Sequence, residues 1–334
     1  MTAKRSVIPV FVPHLGCPAN CVFCDQHKIS GSVSPATAET VTRAVRDGLL
    51  KIPANTGAQL AFYGGSFTAI PVEKQEELLG AALPFLCSGQ LSSVRLSTRP
   101  DAVDEETLER LRRFGVRTIE LGAQSMDDEV LRLSGRGHTA AQTKWAARLV
   151  RDAGFELILQ MMTGLPGDTK ERSVETAKRL VSLSPDGVRI YPTVIVAGTP
   201  LETLWRRGDY REHTVDEAVD WCAAAVPLFE AAGIPVIRLG LNPTEELSRG
   251  EALAGAYHPA FGELVRSRLL LDRAKLLLQN ALPGTTPVLL VNKADVSAMT
   301  GQHRTNITAL RAAFSLADVK VRVGDVPRNG VKLQ

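Results

Sequence analysis

From Val7 to about Leu241, short β-rich runs alternate with helix-period stretches, and this rhythm constrains the fold more than any other feature of the chain. It predicts strands at Val7–Val12, Gln59–Tyr63, Ser93–Ser97, Arg117–Leu121, Glu156–Met162, Gly187–Tyr191 and Pro235–Leu239. Helices are predicted over Ala36–Leu50, Val72–Phe85, Glu105–Phe114, Thr139–Ala153, Thr169–Leu183 and Val215–Ala232. Ser34 before Pro35 and Asp168 before Thr169 read as N-caps, and Gly115, Gly154 and Gly233 as C-terminal stops. Strands joined through helices pair in parallel by right-handed crossovers. Six or more such units predict an α/β fold, a partial (β/α)6 TIM-like barrel, with an open doubly wound sheet as the alternative. Either topology puts chemistry at the C-terminal ends of the strands.

Past Leu241 the rhythm breaks. LNPTEEL is turn-like, Glu263–Leu282 is a long helical run, and PVLLVN and ADVKVRV read as strands. The expected organisation is therefore a core barrel over 1–241 and a C-terminal α/β extension over 242–334. The net charge of +3 implies no polyanion-coating surface. From His303 onward, however, Arg304, Arg311, Lys320, Arg322, Arg328 and Lys332 face only Asp318 and Asp325, which fits a solvated basic face or a nucleic-acid or phosphate partner. The first apolar run contains Pro9 and Pro13 and reads as a strand, not a signal peptide. No stretch is long and apolar enough for a membrane span, so a cytoplasmic location is expected.

Three of the five cysteines lie in HLGCPANCVFCDQ, with Cys17, Cys21 and Cys24 spaced C-x3-C-x2-C after the first strand. Thiolates so spaced can wrap one iron–sulfur cluster, and a four-iron cluster held by three of them keeps one iron open to another ligand. Phe23 would shield it from water. A zinc site completed by His14 or His27, in a nucleic-acid-binding module, is the alternative. Cys87 and Cys222 read as buried fillers of apolar helices.

Later loops add further motifs in order: Tyr63-Gly64-Gly65-Ser66-Phe67, LSTRPD (Leu96–Asp101), IELGAQS (Ile119–Ser125), GRGHT (Gly135–Thr139), QMMTGLPGD (Gln160–Asp168) and RIYPT (Arg189–Thr193). GTPL (Gly198–Leu201), Trp205, Tyr210 and Arg211 complete the series. With the cysteine loop, they resemble the radical S-adenosylmethionine (SAM) superfamily over roughly residues 7–212. The likeness is to the branch of the elongator catalytic subunit and oxygen-independent coproporphyrinogen oxidase-like proteins.

That resemblance implies a [4Fe-4S] cluster on Cys17, Cys21 and Cys24, with SAM on the open iron, and a one-electron donor of the flavodoxin or ferredoxin type. It implies that Gly64, Gly65 and Ser66 grip the methionine amino group, that Gln124 and Gln160 reach the ribose, and that Arg136 pairs with the methionine carboxylate. Ser97 stands where relatives often carry a glutamate, so Ser97 and its neighbour Arg99 enter as candidates. Ser125 reads as a helix cap, His138 as structural, and Tyr191 as lying at the mouth of the site. Tyr257, His258 and Glu263 read either as a substrate-pocket lining or as one packed turn.

The resemblance fails in two places. The elongator subunit spaces its first two cysteines farther apart, and no acetyl-CoA loop is matched here, so acetyl transfer is not carried over. The expectation is a radical SAM enzyme acting on an unknown substrate, with tRNA favoured by the elongator-like motifs and the basic end. A cluster- and SAM-binding carrier or sensor is the remaining alternative.

Overall fold

The computed structural model describes residues 6–12, 17, 21–25, 36–53, 57–241 and 250–334. One sheet joins seven parallel strands: β1 (Ser6–Phe11), β2 (Ala58–Tyr63), β3 (Leu91–Thr98), β4 (Val116–Gln124), β5 (Glu156–Thr163), β6 (Gly187–Pro192) and β8 (Val236–Leu239). The intervening β7 (Val194–Val196) leaves the sheet and pairs antiparallel with β9 (Ala252–Gly255). The result is the expected partial TIM-like barrel. Its crossovers are α1 (Ala38–Lys51), α2 (Val72–Gly80) with α3 (Leu83–Cys87), α4 (Glu105–Arg113), α5 (Asp128–Leu133) with α6 (Ala140–Asp152), α7 (Lys170–Ser182), and α8 (Pro200–Arg207) with α9 (Val215–Ala231).

Side chains alternate along a strand, so each strand offers one set outward to the helices and one inward. The outward set is apolar: Ile8, Val10, Leu60, Phe62, Val94, Leu96, Ile119, Leu121, Leu157, Leu159, Val188 and Ile190 are all buried in one core with the helices. Burying each such side chain contributes about 1.5–3 kcal/mol, so this face closes the helical layer onto the sheet. The inward set is polar, comprising Gln59, Tyr63, Ser93, Arg95, Thr118, Glu120, Gln160 and Arg189. The lumen is thus no second hydrophobic core.

Several local signals resolve differently from expectation. Ser34 and Pro35 lie outside the described residues, and α1 is capped by Thr37, whose hydroxyl accepts from Thr40 N while Thr40 answers through its own hydroxyl. Thr169, not Asp168, caps α7, because Asp168 is drawn into the preceding loop. Asp127, not Ser125, caps α5; Ser125 Oγ accepts from Asp127 N one turn earlier. Cys87 is exposed at the end of α3, contrary to expectation, whereas Cys222 is fully buried in α9. No described helix is long and apolar enough to cross a membrane.

In the C-terminal region, α10 (Phe261–Leu277) serves two cores. Phe261, Val265 and Leu269 pack on the barrel, whereas Leu270, Ala274 and Leu278 join Leu289, Val291, Met299, Ile307 and Leu310 in a second cluster. The latter is built from β10 (Val288–Val291), α11 (Val296–Thr300), α12 (Thr305–Phe314), β11 (Lys320–Val323) and β12 (Val331–Leu333), with strand order β11-β10-β12. Arg273 and Asn329 both donate to Glu230 of α9, at 2.6 and 3.2 Å, and so tie this region to the barrel.

Candidate active site

The expected site residues gather at the C-terminal ends of the strands. Cys17, Cys21 and Cys24 are all half-buried. Cys24 N donates to Cys21 O at 3.1 Å, and the segment is clamped from both sides, with Val22 N on Ser134 O at 3.1 Å and Leu201 N on Val22 O at 2.8 Å. Phe23 seats this turn in a small apolar cluster with Val130, Leu165, Ile195, Leu201 and Tyr210. Burial and the neighbouring Cys21 push the Cys17 thiol up, against the pull of Arg136 and Arg99. Among the described residues, no three His, Cys, Asp or Glu side chains stand close enough to cage a metal ion. His14 and His27, the zinc alternatives, lie outside those residues.

Arg136 is the hinge of the arrangement. Its Nη1 donates to Cys21 Sγ at 3.2 Å and its Nη2 to the Gly122 carbonyl at 2.7 Å, while its Nε is buried with no partner. A Cβ on Gly122 would meet Gln124 Nε2 at 2.9 Å and Arg136 Nη2 at 3.3 Å, so a larger residue here would displace one or both of these side-chain ends. Gln124 itself is left-handed at φ 62, just after a register slip between β4 and β5, and its buried Oε1 has no partner. Ser97 Oγ on β3 is likewise buried and unpartnered. Three orphaned polar atoms towards one end of the barrel, one of them on a guanidinium that touches a thiol, are what a polar ligand's cradle presents when protein groups alone are counted.

The other candidates are already engaged. Gly64 and Gly65 are both left-handed, at φ 78 and 42, where glycine is tolerated without strain. Ser66 Oγ pairs with Thr98 Oγ1 at 2.9 Å and accepts from Arg99 N at 3.2 Å. The Arg99 guanidinium donates to Asp101 at 2.5 Å and to the Arg136 carbonyl at 2.9 Å, so it positions the Arg136 loop. His138 contacts the Ala123 carbonyl at 3.3 Å, and burial first, with Arg136 second, pushes it down to about 4, leaving it a neutral structural group. Gln160 Nε2 donates to Glu120 at 3.1 Å.

The Gly-Leu-Pro-Gly turn after β5 is held on three sides. Tyr210 Oη donates to the Gly164 carbonyl at 2.6 Å, and Asp168 Oδ2 accepts from Gly164 N at 2.9 Å and Ser173 Oγ at 2.7 Å. The imidazole of His213 fills the space in front of Gly164. The Tyr257, His258 and Glu263 trio is dispersed. His258 Nδ1 accepts from Ala260 N at 3.1 Å, Glu263 accepts from Ser297 at 3.3 Å, and Tyr257 packs beside Val194 and Val196.

Sequence reasoning missed the layer below. Glu120, wholly buried at mid-barrel, accepts from Arg189 Nε and Nη2 at 2.8 and 3.1 Å, from Gln160, and from Tyr63 Oη at 3.3 Å. Arg95 Nε lies 3.1 Å from Glu120 Oε1. Lower still, Gln59 Nε2 donates to Ser93 Oγ at 2.9 Å and Thr118 Oγ1 at 3.2 Å. The available signal was the period-two placement of polar residues in SVRLS, TIELG and GVRIY, each inside a run otherwise apolar enough for a core strand.

Known proteins bear on this geometry. Residues 11–180 match the radical SAM superfamily, and residues 185–270 match the radical SAM C-terminal domain. A tRNA uridine(34) acetyltransferase of Methanocaldococcus infernus is 27% identical over 255 residues, covering 64% of this chain and 48% of that protein. An uncharacterized protein of Methanocaldococcus jannaschii is 31% identical over 221 residues, covering 63% of this chain and 67% of that one. The solved structure of the archaeal M. infernus Elp3 with an N-terminal deletion superimposes with a TM-score of 0.62 at 22% identity, covering 80% of this chain and 63% of that one. This chain spans about half the length of the acetyltransferase it matches. The match over half the chain settles the family: the protein belongs to the radical SAM superfamily and is an enzyme whose cofactors are a [4Fe-4S] cluster and SAM.

Proposed function

We propose that Cys17, Cys21 and Cys24 hold the cluster and that SAM lies across the C-terminal ends of β3 to β5. So held, the cluster would supply one-electron reduction, with a flavodoxin- or ferredoxin-type protein as donor, for the reductive cleavage of SAM to methionine and a 5′-deoxyadenosyl radical able to take hydrogen from a substrate. One observation carries the reading: Arg136 touches Cys21 with one nitrogen and leaves Nε buried and unused, and Gln124 Oε1 and Ser97 Oγ, towards the same ends of β4 and β3, are buried and unused as well. A guanidinium is suited to the methionine carboxylate because it makes parallel hydrogen bonds. Gln124 would offer an acceptor to a ribose hydroxyl, and Ser97, with the paired glycines Gly64 and Gly65, would hold the amino group. Phe23 and its apolar neighbours keep water from the cysteine turn.

The substrate side is read as RNA, specifically tRNA, in the cytoplasm. A relative named as a tRNA uridine(34) acetyltransferase and the basic residues after His303 support it. The test is anaerobic reconstitution with iron and sulfide, then dithionite and SAM, with 5′-deoxyadenosine quantified. Expected are a brown chromophore, cleavage lost on C17A, C21A or C24A, and a higher rate with bulk tRNA. One tightly held zinc per chain, or cleavage indifferent to the three cysteines, overturns the cluster assignment; a rate indifferent to tRNA overturns the RNA reading.

A further inference from the structure

In the layer of Arg95, Glu120 and Arg189 two guanidiniums meet one carboxylate; the next inward acid, Glu156 at the start of β5, accepts the Thr118 hydroxyl at 2.5 Å. Arg189 grips Glu120 with two nitrogens, Nε at 2.8 Å and Nη2 at 3.1 Å, and Gln160 and Tyr63 add their own donors. Arg189 by itself neutralises that carboxylate, and it shares the hydrogen bonding with Gln160 and Tyr63. Arg95, on the neighbouring strand and nine-tenths buried, is therefore a second guanidinium on an already satisfied acid. Its Nε is 3.1 Å from Glu120 Oε1, yet the N–H points past that oxygen, and the atom is buried without a hydrogen bond. Glu120 is its one ion-pair partner among the described residues. Arg238, the next cation along the sheet, is turned back on its own strand end, donating to the Gly240 and Leu241 carbonyls at 3.0 and 2.9 Å.

A buried cation with an unused donor is costly, because both its hydration and a hydrogen bond are forgone. The cost is relieved when an acceptor of opposite charge enters. This face is not sealed: Tyr63, Ser97, Gln160, Met162, Arg189 and Tyr191 all keep partial solvent exposure although they lie on interior strands of the sheet.

We infer that the barrel lumen at the level of Arg95 and Arg189 binds an anionic group of the substrate, a carboxylate or a phosphate, and that Arg95 is the residue that takes it. The inference rests on the radical SAM reading only for the view that a substrate enters here. It makes the lumen a selective floor below the SAM site: a molecule bearing its anion at the right depth is held, and a neutral analogue is not.

The experiment uses the full-length, cluster-reconstituted protein under anaerobic conditions. Inorganic phosphate in one arm and acetate in another are titrated calorimetrically against a constant chloride background, with acetamide as the neutral counterpart of acetate. Wild type is expected to bind at least one of the two anions and not acetamide; the tighter arm names the substrate's group. R95M should weaken that binding at least about tenfold, the loss of one charge-assisted hydrogen bond. E120Q should strengthen it, because the surplus charge in the layer rises from one to two. The opposite responses distinguish an anion site from a network that only braces the barrel, which R95M and E120Q would both merely loosen. R304S, on the exposed C-terminal region, should leave binding unchanged and so exclude surface phosphate. Absence of binding in both arms, or binding that survives R95M, overturns the inference. Release of 5′-deoxyadenosine from SAM is followed on the same preparation. Cleavage without anion binding sinks this inference alone, and anion binding without cleavage sinks the radical reading alone.

Discussion

Arg136 and Cys21 are joined directly: Nη1 of the arginine lies 3.2 Å from the thiol sulfur, while Nη2 of the same guanidinium is anchored at 2.7 Å on the Gly122 carbonyl. The two contacts fix the plane of the guanidinium and leave its Nε buried without a partner. Arg99, bonded to the Arg136 carbonyl, holds the loop from behind.

Replacing Arg136 with lysine keeps the charge but removes the fork. SAM binding, read by equilibrium dialysis, is expected to weaken by roughly tenfold, in line with one lost charge-assisted hydrogen bond of about 1.5 kcal/mol. Unchanged affinity in R136K would mean that the guanidinium serves the Gly122 anchor only.

Ser97 separates a ligand role from a structural one. Its Oγ is buried with no partner, so S97A should leave thermal stability unchanged or slightly raised, by no more than about 1 kcal/mol. SAM affinity should nevertheless fall. A variant as good as wild type in both measurements would remove Ser97 from the site.

Gly164 is locked at φ 76 with its carbonyl held by Tyr210 and the His213 ring directly in front of it. G164A should cost at least about 2 kcal/mol, from the left-handed backbone and the collision together. Adding H213A should recover part of the loss, a non-additivity visible in urea midpoints. Full additivity would show that the ring does not restrain the turn.

Acid stability should carry the mark of three buried groups. Burial pushes His138 and His213 down to about 4 from 6.5, and burial pushes Asp168 up to about 6 from 3.8. Each histidine stays neutral in the fold and protonates on unfolding, so each removes stability as pH falls through that window. Asp168 acts oppositely, since its protonated form is favoured by the fold between those two values. Two against one leaves a net loss of about 1.4 kcal/mol per pH unit between about 6 and 4. H213Q leaves one against one, and its urea midpoints should flatten relative to wild type over that interval. Parallel curves would show that His213 is not titrating as its burial requires.

The cysteine spacing, the glycines and the later loop motifs were all legible in the chain, because chemistry that needs particular atoms fixes residue identity locally. The barrel was legible too, since alternating strand and helix periods leave few ways to bury the apolar faces. Helix caps were read less well. Ser125 and Asp168 have the right chemistry to cap, but the tight turns before α5 and α7 claimed their oxygens first, for Asp127 N and Gly164 N. Exposure of Cys87 had no local signal, being set by where the end of α3 meets solvent.

The strand sequences determined which residues alternate, but not which face turns inward. Only the pairing and curl of the sheet brought Arg95, Glu120, Gln160 and Arg189 from four neighbouring strands into one layer, with Arg95 left over. That surplus is a property of distances between strands, and the one-dimensional order of residues carries none of those distances.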